Sequence, residues 1–153
     1  MLFHKLIQTI EEHSELIVSQ TVDHIRRDHR LPLLAKLPHS ELAVSGRTIL
    51  AHLGDWLGNE ERSKIGERFE QIGRSRYLDD LPLDQTVLGL QILKEHTIEY
   101  IRDQGFPQNS MEFYAEEQLE IRVDRFFDFL IYHLVAGYEK ARRHYDAAQH
   151  AHA

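Results

Sequence analysis

The sequence predicts an all-α fold, a bundle of about five mostly antiparallel helices closed by a long C-terminal helix. Apolar residues recur at alternating steps of four and three along most of the chain, the spacing that lines one face of an α-helix. Nothing reads as a strand, because no stretch holds the period-two alternation of a half-buried strand. The four prolines, Pro32, Pro38, Pro82 and Pro107, fall where the helical period breaks, as expected of a residue that lacks an N–H and clashes with the preceding turn.

A first helix carries Phe3, Ile7, Ile10, Ser14, Ile17 and Thr21 on one stripe and ends near Ile25. Arg26 and Arg27 suit its negative C-terminal end. Ser40 is placed to cap a second helix with the stripe Leu42, Gly46, Ile49, Leu53 and Trp56. Asn59 is placed to cap a third, with Ile65, Phe69 and Ile72 inward and Gly66 and Gly73, seven apart, on one side. Residues 78–83, with Asp79, Asp80 and Pro82, read as a turn before a fourth helix capped by Asp84. That helix runs to about Gln104, with Gly105 as a left-handed cap. Asn109 and Glu112 stand at capping-box spacing before a last helix expected to reach about Ala148. At 1.5 Å per residue it is well over ~50 Å long. The 153 residues read as one domain, with 149–153 a disordered tail.

Composition bounds the function. A formal net charge of −7, with 18 Lys and Arg scattered among 25 acids, offers no basic surface for nucleic acid. With no cysteine, disulfides, thiolate nucleophiles and Cys-ligated metal centres are excluded. The N-terminus enters an amphipathic pattern directly, and no apolar run approaches the ~20 residues that span a bilayer. A cytoplasmic protein without membrane contact is expected. There is no Gly-x-Ser-x-Gly elbow, P-loop or Gly-x-Gly-x-x-Gly, so the chain is not expected to be an enzyme.

The polar residues on apolar faces are the candidates for function. In Phe126 to Tyr138 only Asp128 and His133 interrupt apolar or aromatic residues, so this part of the last helix is expected to be covered on most sides, by the core or by a second copy of the chain. Lys94 sits on the stripe Leu83, Val87, Leu90, Ile98 and Ile101. It either snorkels from the stripe edge or pairs with an acid such as Asp124 or Asp128, or with an anionic ligand. Arg76 extends the stripe of Ile65, Phe69 and Ile72 by one turn. With Arg74 and Tyr77 it precedes Asp79 and Asp80, where an ion-pair knot is expected. Eleven histidines raise haem or metal as an alternative, but His52 with Asp55, and His96 with Glu99, are single pairs and not a ligand constellation. His144, His150 and His152 read as a solvated tail. No cofactor is expected.

The run Ile72-Gly73-Arg74-Ser75-Arg76-Tyr77, then Leu81-Pro82-Leu83-Asp84-Gln85-Thr86-Val87 with Lys94, then Phe126-Phe127-Asp128 and Gly137-Tyr138-Glu139, with Trp56-Leu57 before them, resembles the N-terminal domain of the RsbT co-antagonist protein RsbRD. The likeness spans roughly residues 15–140, and its motifs are structural. It implies an input module of the kind attached to STAS domains of stressosome proteins or to histidine-kinase cores. Here a free-standing copy is expected, acting through a partner. In many relatives an aromatic is expected where His133 stands.

The leading reading is therefore a cytoplasmic sensory or protein-interaction module of bacterial signalling or stress response, regulating a partner such as a kinase or stressosome component and forming a homodimer. The second is a small-molecule or cofactor carrier with a pocket lined by Phe126, Phe129, Trp56 and Tyr77. The candidate motif or ligand residues are Trp56, Arg74, Arg76, Tyr77, Lys94, Asp128, His133 and Tyr138.

Overall fold

The computed structural model describes residues 2–58, 62–105 and 107–151. In order they form α1 (Leu2–Glu12), α2 (Ser14–Arg27), a 3-10 turn (Leu34–Lys36), α3 (His39–Leu50), α4 (Leu53–Leu57), α5 (Arg62–Leu78), α6 (Leu83–Gly105) and α7 (Ser110–Ala151), with no strand among the described residues. The all-α fold and the long last helix are as the sequence predicts.

The first two predicted helices are each split. At His13 the ring Nδ1 lies 2.9 Å from the Thr9 carbonyl that the His13 backbone N–H also reaches, at 3.0 Å. Two donors on one carbonyl open the backbone to φ −107, ψ 19, and α2 restarts at Ser14. α3 begins at His39 and not behind a Ser40 cap, because the Pro38 carbonyl takes the N–H groups of Glu41 and Leu42. A second break at Ala51 and His52 separates α4, and Trp56 Nε1 spans it by donating to the Thr48 carbonyl at 2.7 Å. The cap expected at Asn59 lies outside the described residues.

α5 ends in a Schellman turn. Leu81 N–H reaches the Arg76 carbonyl at 2.9 Å and Asp80 N–H the Tyr77 carbonyl at 3.1 Å, with Asp80 in the left-handed region at φ 58. Short polar side chains tolerate that conformation better than most. α6 starts one residue before the expected cap, since Pro82 presents its carbonyl to Thr86 N–H and Asp84 binds only its neighbour's N–H, at Gln85. α6 runs through Gly105, and the residue that would complete a cap there is outside the described ones. At the start of α7, Asn109 Oδ1 accepts Glu112 N–H at 2.9 Å while the Glu112 carboxylate reaches back to Gln108 N–H at 2.7 Å. The capping box forms, closed one residue upstream of the usual partner. α7 continues past Ala148 to Ala151, aided by three alanines in its last turns.

The most extensive helix pair is α5 with α7. They run parallel: Arg62 lies over the Phe129 ring, Gly66 faces His133, Glu70 meets Gly137 and Tyr77 meets Tyr145. α6 packs antiparallel against α7, Lys94 pairing with Asp124 and Arg102 with Glu120. Phe69, Phe126, Phe127, Leu130 and Leu134 join Ile10, Ile17, Ile49 and Leu53 in one core, and Ile25, Leu31, Leu34, Leu81 and Ile92 form a smaller one. Gln85 ties the small core to α6, its side-chain oxygen accepting the N–H groups of Leu33 and Leu34.

The α5–α7 approach is closer than side chains allow. A Cβ on Gly137 would land far inside van der Waals contact with the Glu70 carbonyl oxygen, and one on Gly73 would do the same at the Leu134 carbonyl. Both obstacles are backbone, so neither can swing aside. Gly137→Ala and Gly73→Ala are each expected to cost about 3 kcal/mol or more by urea denaturation. Gly58→Ala, whose Cβ would meet nothing nearer than 3.5 Å, should stay within about 0.5 kcal/mol. Similar losses at all three positions would contradict a seam set by close backbone approach.

Candidate functional site

The Schellman turn fixes the end of α5, and with it Arg76. Its carbonyl is held by Leu81, and its half-buried side chain turns toward α3 and α6, lining a cavity of about 60 Å³ together with Ser45, Gly46, Ile72, Thr86 and Leu90. Burial holds the Arg76 pKa below its usual value, opposed through space by Glu41 and Asp79. The expected ion-pair knot is absent: among the described residues no carboxylate comes within 4.0 Å of Arg74 or Arg76. The α5 twist sends Arg76 inward while Asp79 and Asp80 are exposed on the turn. Arg74 points outward beside a surface groove with Glu70, Lys140 and Tyr145.

Tyr77 and Tyr138 come together edge to face, 5.4 Å between centroids, and Tyr138 Oη donates to the Leu81 carbonyl at 2.9 Å. Tyr138 thereby pins α7 to the turn after α5. One turn back along the seam, Glu70 accepts from His133 Nδ1 and from Lys140 Nζ, each at 2.7 Å. These two partners hold the Glu70 pKa below the usual glutamate range, Lys140 contributing most. His133 also packs its ring on Phe129, 4.5 Å between centroids.

Lys94 is at the edge of the α6 stripe and not on it. The buried line is Thr86, Leu90, Leu93, Thr97 and Ile101, which keeps Leu90 and Ile101 of the predicted stripe and sets the residue before Val87, Lys94 and Ile98 in place of each. The two threonines fit there because each hydroxyl bonds a carbonyl of its own helix, Leu83 and Leu93. Lys94 Nζ meets Asp124 Oδ1 at 2.9 Å, with side chains 22% and 50% exposed. Asp128 is exposed on α7.

The pocket expected between Phe126, Phe129, Trp56 and Tyr77 does not form. Phe126 is wholly buried in the core, Phe129 is engaged by His133 and Arg62, Trp56 by Thr48 and Tyr77 by Tyr138. The cavity lies instead between α2, α3, α5 and α6, with Leu134 of α7 at its wall. Glu70 and Gln85, and a contact of His24 Nδ1 with His96 Nε2 at 2.9 Å between α2 and α6, were not singled out from the sequence. Nothing in their spacing marks them, since each pairs with a residue more than fifty positions away. Among the described residues no three His, Asp or Glu side chains converge in a metal-ligating group, and no helix is long and apolar enough to cross a membrane.

The chain matches the RsbT co-antagonist protein rsbRD N-terminal domain over residues 15–153. It belongs to that family. No curated protein and no solved structure matches it. In this RsbRD N-terminal domain the residues that carry the likeness sit largely on one seam: Gly73 and Gly137 permit the helix contact, Tyr77 and Tyr138 lock its end, and Arg76 departs from it into the cavity. Lys94 and Trp56 lie apart from it, and neither lines the cavity.

Two outcomes follow. The Lys94 pair is too exposed for a buried-charge penalty, so Lys94→Met should change stability by only ~0–1 kcal/mol in a denaturant melt. A loss of ~3 kcal/mol or more would mean the pair is buried. Because the folded-state pKa of Glu70 is depressed, its stabilisation is complete above its unfolded value of ~4.3 and is lost as pH falls through the folded value. The melting-temperature advantage over Glu70→Gln should therefore hold from neutral pH to about 5 and shrink as pH drops toward ~3. An advantage that is flat across that range would show that the Glu70 carboxylate contributes nothing as an ion.

Proposed function

We propose that this domain is a signalling input module that acts by binding and not by catalysis, regulating a kinase or a stressosome component in the cytoplasm. Membership in the RsbRD N-terminal family over residues 15–153 carries this reading. The course of α7 supports it. That helix forms the seam with α5, walls the cavity through Leu134, and after Tyr145, which still packs on Tyr77, continues past the bundle with residues 146–150 exposed. A helix end without a large apolar side chain suits a connection to another protein surface and not a core.

A homodimer is part of the same proposal, on altered grounds. The apolar perimeter from Phe126 to Tyr138 is largely taken up by the monomer, which buries Phe126, Phe127, Leu130 and Leu134. What stays exposed on one stripe of α7 is Met111, Tyr114, Ile121 and Tyr132, the first 82% and the last 68% accessible. A two-fold pairing of these stripes is the simplest closed arrangement, and a stable one buries on the order of 1,200–2,000 Å².

Light scattering after size exclusion is expected to give twice the 18.0 kDa chain mass, reverting to one chain in Tyr114→Glu/Ile121→Glu with the melting temperature retained. A monomeric mass at tens of micromolar removes the dimer. For the partner, calorimetric titration of the purified chain against the purified STAS-domain proteins and kinases of the same genome is expected to give at least one complex of about micromolar Kd. Heat-free titrations against all of them would overturn the input-module reading.

A further inference from the structure

Arg76 carries five N–H donors, yet among the described residues none of them reaches a protein acceptor and no carboxylate lies within 4.0 Å. Its nitrogens are not among the buried polar atoms without a partner, so at this half-buried position their hydrogen bonds go to water until a ligand takes them. Where it stands also matters. Arg76, Ser45 and Ile72 line two spaces at once, the apolar cavity inside and a polar groove outside that bears Glu41, Arg68 and Asp79. The guanidinium and the Ser45 hydroxyl thus sit at the rim between an apolar interior and solvent.

Gly46 and Gly89 face the cavity from α3 and α6, where Val18 and Leu34 pack close against them. The rest of its wall is mostly apolar, with Leu42, Phe69, Leu90 and Leu134, and the hydroxyls of Thr21 and Thr86 are spent on carbonyls of their own helices. Apolar cavities take apolar ligands; an enclosed one of about 150 Å³ accepts benzene. At about 60 Å³ the present one suits a tail of about two or three carbons. The groove at its mouth balances Arg68 and Arg76 against Glu41 and Asp79. One added negative charge would meet Arg76, while a dianion such as phosphate would also press against the two acids.

We propose that this cavity and its rim bind a small monocarboxylate with a short apolar tail, of the butyrate or isobutyrate class, the carboxylate held by Arg76 and Ser45 and the tail lying between Leu42, Leu90 and Leu134. Guanidinium and carboxylate match as a fork-to-fork pair. The site concerns the isolated chain alone, so it stands or falls whether or not a signalling protein docks elsewhere. With about six non-hydrogen atoms, such a ligand reaches about millimolar affinity.

The test is a titration of the full chain with isobutyrate, followed by amide chemical shifts in solution. Saturable binding at about millimolar Kd is expected, with acetate, which lacks the tail, at least about tenfold weaker. Arg76→Gln should weaken isobutyrate at least about tenfold. Gly89→Ala adds a methyl group that meets the end of the Leu34 side chain, 2.8 Å away, so Leu34, itself in the cavity wall, has to shift; the variant should fold with a melting temperature close to that of the parent, the gain in helix propensity offsetting the shift, and bind less isobutyrate. No saturation up to about 50 mM, acetate binding as well as isobutyrate, or unchanged affinity in Arg76→Gln would each overturn the site. Unchanged affinity in Gly89→Ala would overturn the placement of the tail.

Discussion

The structure depends on the contact of bare backbone between α5 and α7. Gly73 lies against the Leu134 carbonyl and Gly137 against Glu70, so the two helices meet at a separation that any β-carbon forbids. That contact sets the depth of α7 in the bundle, and three other features require that depth. Tyr138 reaches the Leu81 carbonyl, Tyr77 lies edge-on to Tyr138, and Glu70 is within reach of both His133 and Lys140. Moving the helices apart by the thickness of a methyl group would break all of them together.

Most of the polar links along this seam are partly exposed, and such pairs contribute little to stability individually. Their role is to choose among alignments. A slide by one turn would set His133 or Ala141 where Gly137 now meets Glu70, so the glycines and the polar links select the same alignment. The carboxylate between an imidazole and an ammonium, and the phenol on a turn carbonyl, exist in one alignment only. The stability itself resides in the core, where Phe69, Phe126, Phe127, Leu130 and Leu134 are within 2% of full burial.

The helices and their inward stripes were legible because amphipathic periodicity is a local signal. So was the capping box of Asn109 and Glu112, and the shared side of Gly66 and Gly73. What could not be read was anything decided by hydroxyls satisfying themselves or by pairing across the fold. Thr86 and Thr97 count as apolar only once their bonds to Leu83 and Leu93 are known, and that shifts the buried face of α6 and moves Lys94 to its edge. The break at His13 is local, yet a histidine ring competing for a helical carbonyl leaves no pattern in a period-based reading. The left-handed Asp80 was hidden because the turn is closed without a glycine. Arg76 was marked as a question by its place on the stripe, while the cavity behind it is built by α2, α3 and α6, which no spacing in α5 reports.

The seam and the cavity share residues, and this joins the proposed ligand to the proposed output. The Leu134 side chain walls the cavity while its carbonyl carries the contact with Gly73. Arg76 faces the cavity while its carbonyl carries the Schellman bond that positions Leu81, the acceptor of Tyr138. Filling the cavity therefore acts on two backbone groups that locate α7. Packed interfaces of this kind respond by switching between alignments more readily than by stretching. Because α7 continues past its Tyr145–Tyr77 contact as a single exposed helix through residues 146–150, a small change in its seat is carried to the far end without passing through any loop. A ligand can shift that equilibrium only by its difference in affinity between the two seats, and a millimolar metabolite present near its Kd can supply only a modest bias. Such a domain would report the abundance of a plentiful small acid gradually, leaving any sharpening of the response to the assembly it joins.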